Sequence, residues 1–267
     1  MGLRADVKDL FTISMIPRER QAEIMKLINR NGTVKTSDLA LRLDCTEETI
    51  RRDLDSLERA NQVVRSHGGA MSIKDSLQDL QHHKRETREV KEKLQIGKKA
   101  ASLVQKGETI FIDESSTALA MVDHLPTDFE INVVTTSLLV ANRVSAHTNT
   151  RLYILGGLYD GKSFSFGGFL TEEAIRFMNI DRFFFSCKGI DSVMGGSEAN
   201  EERARLKKNL LKFAKWRCLL ADHTKLGLKA KFSFVFPNEI DLLITDSGAD
   251  SESLMAYTQA GISTDLK

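Results

Sequence analysis

The chain has 267 residues, 41% of them hydrophobic, which suffices for one large or two modest folded domains and excludes a largely disordered protein. Lysine and arginine number 38 against 37 aspartates and glutamates, so bulk charge selects neither nucleic acid nor membrane and any electrostatic function must be local. Cys45, Cys187 and Cys218 form no CxxC pair, no apolar run approaches a membrane span, and the N-terminus lacks a signal-peptide pattern, so a cytoplasmic location is expected.

Residues 1–14 carry no cap or sustained period and read as a frayed extension. Pro17 opens a helix with Ile24, Leu27 and Ile28 on one face and Gly32 as its stop. Thr36 then offers an N-cap for a short second helix carrying Leu39 and Leu43 and ending near Asp44. Thr46 caps a third helix whose buried stripe is Ile50, Leu54 and Leu57, leaving Arg51 and Arg52 facing outward. Val63 and Val64 predict a small strand, with a hairpin tip at Gly68-Gly69.

This order is the winged helix-turn-helix pattern, over residues 15–72. In that pattern the third helix offers its outward side chains to the DNA major groove, here Thr46, Glu47, Thr49, Arg51 and Arg52. Arg65 and His67 on the wing would reach backbone or minor groove. Ten basic residues face nine acidic ones between Met15 and Ser72, which is no basic footprint, so a protein-docking module of the same layout stays open at this level.

Residues 73–94 are polar and glycine-free and predict a connecting helix; adjacent His82 and His83 point in different directions and receive no role. From Ile96 helical segments alternate with apolar runs such as "ETIFID", "INVVTT" and "RFFFSC", the mark of a mainly parallel sheet covered on both faces. Ligands of such sheets bind beyond the strand C-termini. There the chain places Asp113 followed by Ser115, Ser116 and Thr117, then Thr136 and Ser137, then Gly156 and Gly157. Each such turn could be a mere helix cap, but several at one sheet edge, with Lys188, Lys207 and Lys225, point to a phosphorylated ligand.

The stretch from Ile16 to Met71, with "ETIRRDL" in the third helix and "HGGA" closing the wing, closely resembles the N-terminal module of the DeoR family of bacterial transcription regulators. The segments "FIDESSTALAMVDHL", "VVTTSL", "LYILGG", "CKGID", "ARLKKNLL" and "LLADHTKLG" are similar, in order, to that family's effector domain, so the resemblance runs to about Asp246. It implies a ribose-5-phosphate-isomerase-like α/β effector domain over 95–267 that senses a phosphorylated sugar, with no cofactor or metal. It also implies Arg18 and Thr36 as further DNA contacts. Asp113, Ser115, Ser116 and Thr117 would form one pocket loop and Thr135, Thr136 and Ser137 a second. Gly156, Gly157 and Asp191 would join them, and Lys207 with Asp222 to Lys225 would line the opposite side.

The departures are Cys45-Thr46 for Val-Ser, Asn61 for glycine, Thr136 for asparagine, and Lys188 where an acidic residue is usual. Lys188 is expected to alter effector choice. The "FSC" and "GID" around it are similar to regulators of deoxyhexose operons such as fucose. The function implied is a repressor of a carbohydrate-metabolism operon, working as a homo-oligomer, dimer or tetramer, on double-stranded operator DNA. The alternative is a sugar-phosphate isomerase with an appended module, using Asp113, Asp191 or Asp222 as carboxylate base.

Overall fold

The computed structural model describes residues 15–60, 62–66, 68–72 and 88–266. The expectations for residues 1–14, Asn61, His67 and the connecting segment before Arg88, with His82 and His83, lie outside them. The chain divides into two compact units, one within residues 1–81 and one within 82–267.

In the first unit α1 (Pro17–Asn31) begins on a proline, whose missing N–H is no loss in a first turn, and ends where Gly32 takes φ 74°. Strand β1 (Thr33–Lys35) leads into α2 (Thr36–Arg42), and α3 (Glu47–Arg59) follows a tight turn through Asp44, φ 47°. Thr46 caps α3 as expected, its hydroxyl accepting the Thr49 N–H at 3.2 Å. Thr36 does not cap α2. It is the first helical residue, it is buried, and its N–H bonds the Gly68 carbonyl at 2.8 Å, tying α2 to the wing.

The wing is a three-stranded antiparallel sheet in the order β1, β3 (Gly69–Ser72), β2 (Val63–Ser66). Sequence periodicity finds the hairpin and misses β1, which is too short to show a period. Ile24, Leu27, Ile28, Leu39, Ile50, Leu54, Leu57, Val63 and Ala70 close a single core. These apolar side chains are what hold α3 in place, because helices this short are marginal alone.

The second unit opens with α4 (Val90–Ser102), preceded by Glu89 in the left-handed region at φ 51°. The sequence places a break between a solvated connector ending at 94 and a new helix from 96; the helix Val90–Ser102 crosses that boundary without interruption. It buries Lys93, Ile96, Gly97, Ala100 and Ala101, so Lys93 belongs to the inward stripe. Gly97 is required there, since a Cβ would lie 2.6 Å from the backbone of Ala120.

A seven-stranded sheet, parallel throughout, forms the body of this unit. Its order is β15 (Ser263–Leu266), β14 (Leu242–Thr245), β12 (Ala214–Leu220), β9 (Ile180–Phe185), β4 (Thr109–Ile112), β5 (Ile131–Thr135), β6 (Thr150–Ile154). Successive side chains of β9 feed opposite cores: Phe183 and Phe185 stack at 4.6 Å on one face, and Phe184 packs with Ile110, Ile112 and Cys218 on the other. Both faces are therefore dry, which explains the unbroken apolar runs.

The strand order reverses between β4 and β9, and a crevice opens beyond the C-terminal ends at such a switch point. Around it lie α5 (Ser116–Leu119), α6 (Leu138–Val144), the hairpin β7 (Leu158–Asp160) and β8 (Ser165–Gly167), α7 (Phe169–Ile175) and α8 (Glu201–Leu211). A small antiparallel sheet, β10 (Gly189–Asp191), β11 (Gly195–Glu198) and β13 (Phe232–Val235), adds a wall, and α9 (Ser251–Gln259) precedes β15. Among the described residues no helix is long and apolar enough to cross a membrane.

Candidate functional site

A cavity of ≈ 630 Å³ occupies the crevice at the strand reversal, bounded by the segments following β4, β9 and β12. Six basic side chains, Arg88, Lys93, Lys188, Arg203, Lys207 and Lys225, and four acidic ones, Glu89, Glu114, Glu198 and Asp222, line it, an excess that suits an anion.

Lys207 on α8 is the hub beneath it. Its buried ammonium lies 3.0 Å from Asp113 Oδ2, 2.7 Å from Glu198 Oε1 and 3.9 Å from Glu114 Oε1, and donates to the Ser186 carbonyl at 2.8 Å. Burial disfavours that proton, but Asp113, Glu198 and Glu114 outweigh it and hold Lys207 above the ordinary lysine value. Glu114 is raised as well, here against its charged form: burial pushes its carboxyl up, and Lys207 offsets this only in part. Asp113 also accepts the N–H groups of Ser115 and Ser186, both at 2.9 Å, so one carboxylate fixes the loops after β4 and β9.

Lys225, in the 3-10 turn His223–Lys225, donates to Ser186 Oγ at 2.9 Å and Thr117 Oγ1 at 3.2 Å and lies 3.3 Å from Asp222. Its ammonium thus bridges all three loops. Lys93 approaches from α4, bonded to the Arg88 carbonyl. Burial, reinforced by the nearby Lys225, brings Lys93 down to about 8. Cys187 also lines the cavity, but burial pushes its thiol up to about 12, which leaves it unreactive.

Of the residues expected from sequence, Ser115, Ser116, Thr117, Lys188, Lys207, Asp222 and Lys225 line this cavity, and Asp113 supports it from below. Thr135, Thr136, Ser137, Gly156, Gly157 and Asp191 do not line it. Thr135 donates to the Ile112 carbonyl, Ser137 caps α6, and the Thr136 carbonyl accepts the N–H of Phe166 from the β7–β8 hairpin. Gly157 serves close packing, since a Cβ there would meet Thr171 Oγ1 at 2.2 Å. Asp191 is spent on the Val193 and Met194 amides and on Lys229.

Sequence reasoning missed Arg88, Glu89, Lys93, Glu114, Ser186, Glu198 and Arg203. Two carried a signal: Lys93 falls in the stripe of Ile96 and Ala100, and Arg203 lies four residues before Lys207 on the same helix face.

In the first unit Arg18, Thr46, Glu47, Arg51 and Arg52 are exposed and Thr49 is half-buried, whereas Thr36 is buried. Arg51 pairs with Glu47 at 3.0 Å and Arg52 with Glu48 at 3.3 Å. Such exposed i, i+4 pairs are weak, so a phosphate or guanine edge can take either guanidinium. Arg65 is anchored on the wing, 3.4 Å from Asp55 and donating to the Gly69 carbonyl at 3.2 Å.

A winged helix-turn-helix unit joined to an α/β unit with a charged cavity at its strand reversal is the layout of a DNA-binding transcription regulator that senses a small molecule. Residues 20–76 match the DeoR-like helix-turn-helix domain and residues 88–247 the DeoR C terminal sensor domain. The chain belongs to the DeoR family of transcription regulators. It is 37% identical to the uncharacterized HTH-type transcriptional regulator YulB of Bacillus subtilis, over 91% of this chain and 93% of that one. It is 32% identical to the lactose phosphotransferase system repressor of Streptococcus mutans, over 92% of this chain and 99% of that one. Ribose 5 phosphate isomerase A from Neisseria gonorrhoeae aligns with 50% of this chain and 52% of its own at TM-score 0.36 and 14% identity, a likeness too slight to add to the strand order above. Family and relatives are regulators, so the isomerase alternative gives way.

Proposed function

We propose that this regulator is a cytoplasmic repressor of a carbohydrate-metabolism operon whose affinity for double-stranded operator DNA is set by a phosphorylated sugar in the cavity at the β4/β9 reversal. The observation that carries the reading is the cationic excess there, with Lys225 held by two hydroxyls and a single carboxylate and Lys93 beside it. The name of the lactose phosphotransferase system repressor supports it. The sugar acts by binding one state of the protein more tightly than another, which shifts the DNA-competent population. One winged module makes few contacts, so two or four copies on repeated half-sites are expected. A gel-shift titration with DNA upstream of the protein's own gene cluster, with and without a panel of sugar phosphates, tests this. Selective binding changed by one sugar phosphate supports it, and indifference to every one removes the sensor role.

On the DNA side, Arg51→Ala or Arg52→Ala is expected to cost about 1–3 kcal/mol of specific binding if that side chain reads a base. Equal weakening on specific and unrelated DNA would instead assign it to a phosphate.

Effector affinity is expected to depend on pH through Lys93. In the free protein this lysine is brought down to about 8, and a phosphate dianion beside it raises that value, so binding takes up a proton where Lys93 is neutral. The Lys93 contribution is therefore full below about pH 8 and lost as pH rises toward the bound-state value, by at most about tenfold per pH unit. Titration calorimetry between pH 7 and 9.5, where the phosphate stays dianionic, reads this directly. A flat profile in wild type, or an undiminished slope in Lys93→Met, would exclude it.

A further inference from the structure

Glu198 ends β11 and is buried, 4% exposed, on the cavity wall. Its Oε1 accepts from Lys207 at 2.7 Å, while Oε2 is buried and has no hydrogen-bond partner among the described residues. A buried carboxylate oxygen without a donor is costly, so its retention in a cavity wall calls for a partner. The backbone is built to hold it there. The register of β11 on β13 shifts between Gly196 and Ser197, with Phe234 of β13 as the extra residue, and Glu198 follows directly after the shift. Ser197 locks the bulge, donating to the Gly189 carbonyl at 3.1 Å and accepting the Ala230 N–H at 2.8 Å.

We propose that Glu198 Oε2 is the hydroxyl-recognition point of the effector, accepting a hydrogen bond from one sugar hydroxyl while the cavity's cations take the phosphate. The inference rests on the sugar-phosphate reading of the cavity. An ionised phosphate offers only acceptors and is repelled by this oxygen, so the group that meets it is a donor. Lys207 fixes the carboxylate and Asp113 fixes Lys207, so the acceptor is pre-organised and cannot turn to serve a ligand that lacks the hydroxyl. The site selects polyhydroxy phosphates over bare anions, and among sugars it discriminates by one hydroxyl.

The test titrates full-length protein by calorimetry with hexose 6-phosphates, pentose 5-phosphates, their monodeoxy counterparts and inorganic phosphate. Wild type is expected to bind one deoxy analogue about 10- to 100-fold more weakly than its parent sugar. Glu198→Gln keeps an oxygen for Lys207 and presents a donor amide in place of Oε2. It should lose that same factor on the parent, bind the deoxy analogue as wild type does, and hold inorganic phosphate within about twofold. A common loss on parent, analogues and inorganic phosphate would mean that Glu198 acts only through Lys207, and it overturns the proposal. If the variant does not fold, the wild-type series decides: a set in which no deletion costs more than about twofold overturns it equally. Failure of wild type to bind any sugar phosphate or inorganic phosphate would instead bring down the cavity reading itself, and this inference with it.

Discussion

Lys207→Met is expected to destabilise the sensor unit by about 3–5 kcal/mol at neutral pH, the cost of removing one partner from a buried ionic cluster. Methionine fills much of the same volume, so a cavity is not the cause. Asp113, 3.0 Å away, and Glu198, at 2.7 Å, are both buried and would be left as negative charges without the cation they share. Glu114, already pushed upward by burial with Lys207 pulling against it, would rise further.

The sign of the pH dependence follows from that. Without Lys207, Glu114 has a folded-state value raised still further above its unfolded one, so its share of the destabilisation is complete above the raised value and shrinks as pH falls through it. Variant and wild type should therefore converge as pH is lowered from 8 toward about 5, near the ordinary carboxylate range. Urea melts followed by Trp216, which lies on β12 of the same unit, measure the difference. A variant as stable as wild type at pH 7.5 would show that the cluster is not held as an ionic network.

How much of this site is legible in the sequence depends on how far apart in the chain its partners lie. Ser115 to Thr117 and Lys225 are readable because a polar turn after an apolar run falls beyond a strand's end whatever else the chain does. Thr136 and Ser137 obey the same local rule, yet the β7–β8 hairpin, nearly 30 residues downstream, covers them: Ser137 bridges Ser165 and the Leu138 N–H bonds the Phe164 carbonyl. No local pattern carries that pairing. Glu198 is hidden for a related reason, since a glutamate after two glycines and a serine reads as a solvated turn until the bulge on β13 and the lysine nine residues later are both in view. The winged module is more legible because its contacts are short-range helix stripes and tight turns, and only β1 escapes. Charge counting there gave no answer about DNA, and setting aside Arg20 and Asp53, which are spent on each other inside the fold, leaves the balance unchanged.

Those two residues carry the second large effect, Asp53→Ala. Asp53 sits on the inner face of α3, 3% exposed, and α1 satisfies both its oxygens: Arg20 Nε bonds Oδ2 and Gln21 Nε2 reaches Oδ1 at 3.1 Å. Arg20 is also buried and donates to the Met15 carbonyl at 2.7 Å. The hydrogen bond to Asp53 raises its guanidinium against burial, and the intrinsic basicity of arginine keeps it charged even when that partner is gone. The alanine variant is expected to lose about 3–5 kcal/mol, enough to unfold a module of this size at 37 °C and abolish operator binding.

Because Asp53 faces α1, that loss would come through folding and not through a missing base contact. Two measurements separate the cases. Sugar-phosphate binding should survive in Asp53→Ala, because the proposed cavity lies wholly within residues 82–267. The double substitution Arg20→Met with Asp53→Leu, which replaces the pair by apolar groups of similar reach, should restore helicity and most operator affinity, as buried pairs often add little over well-packed hydrophobes. A double variant that folds yet stays blind to the operator would place Asp53 or Arg20 in the reading of DNA after all, and would move the recognition surface from the outer face of α3 toward the α1–α3 junction.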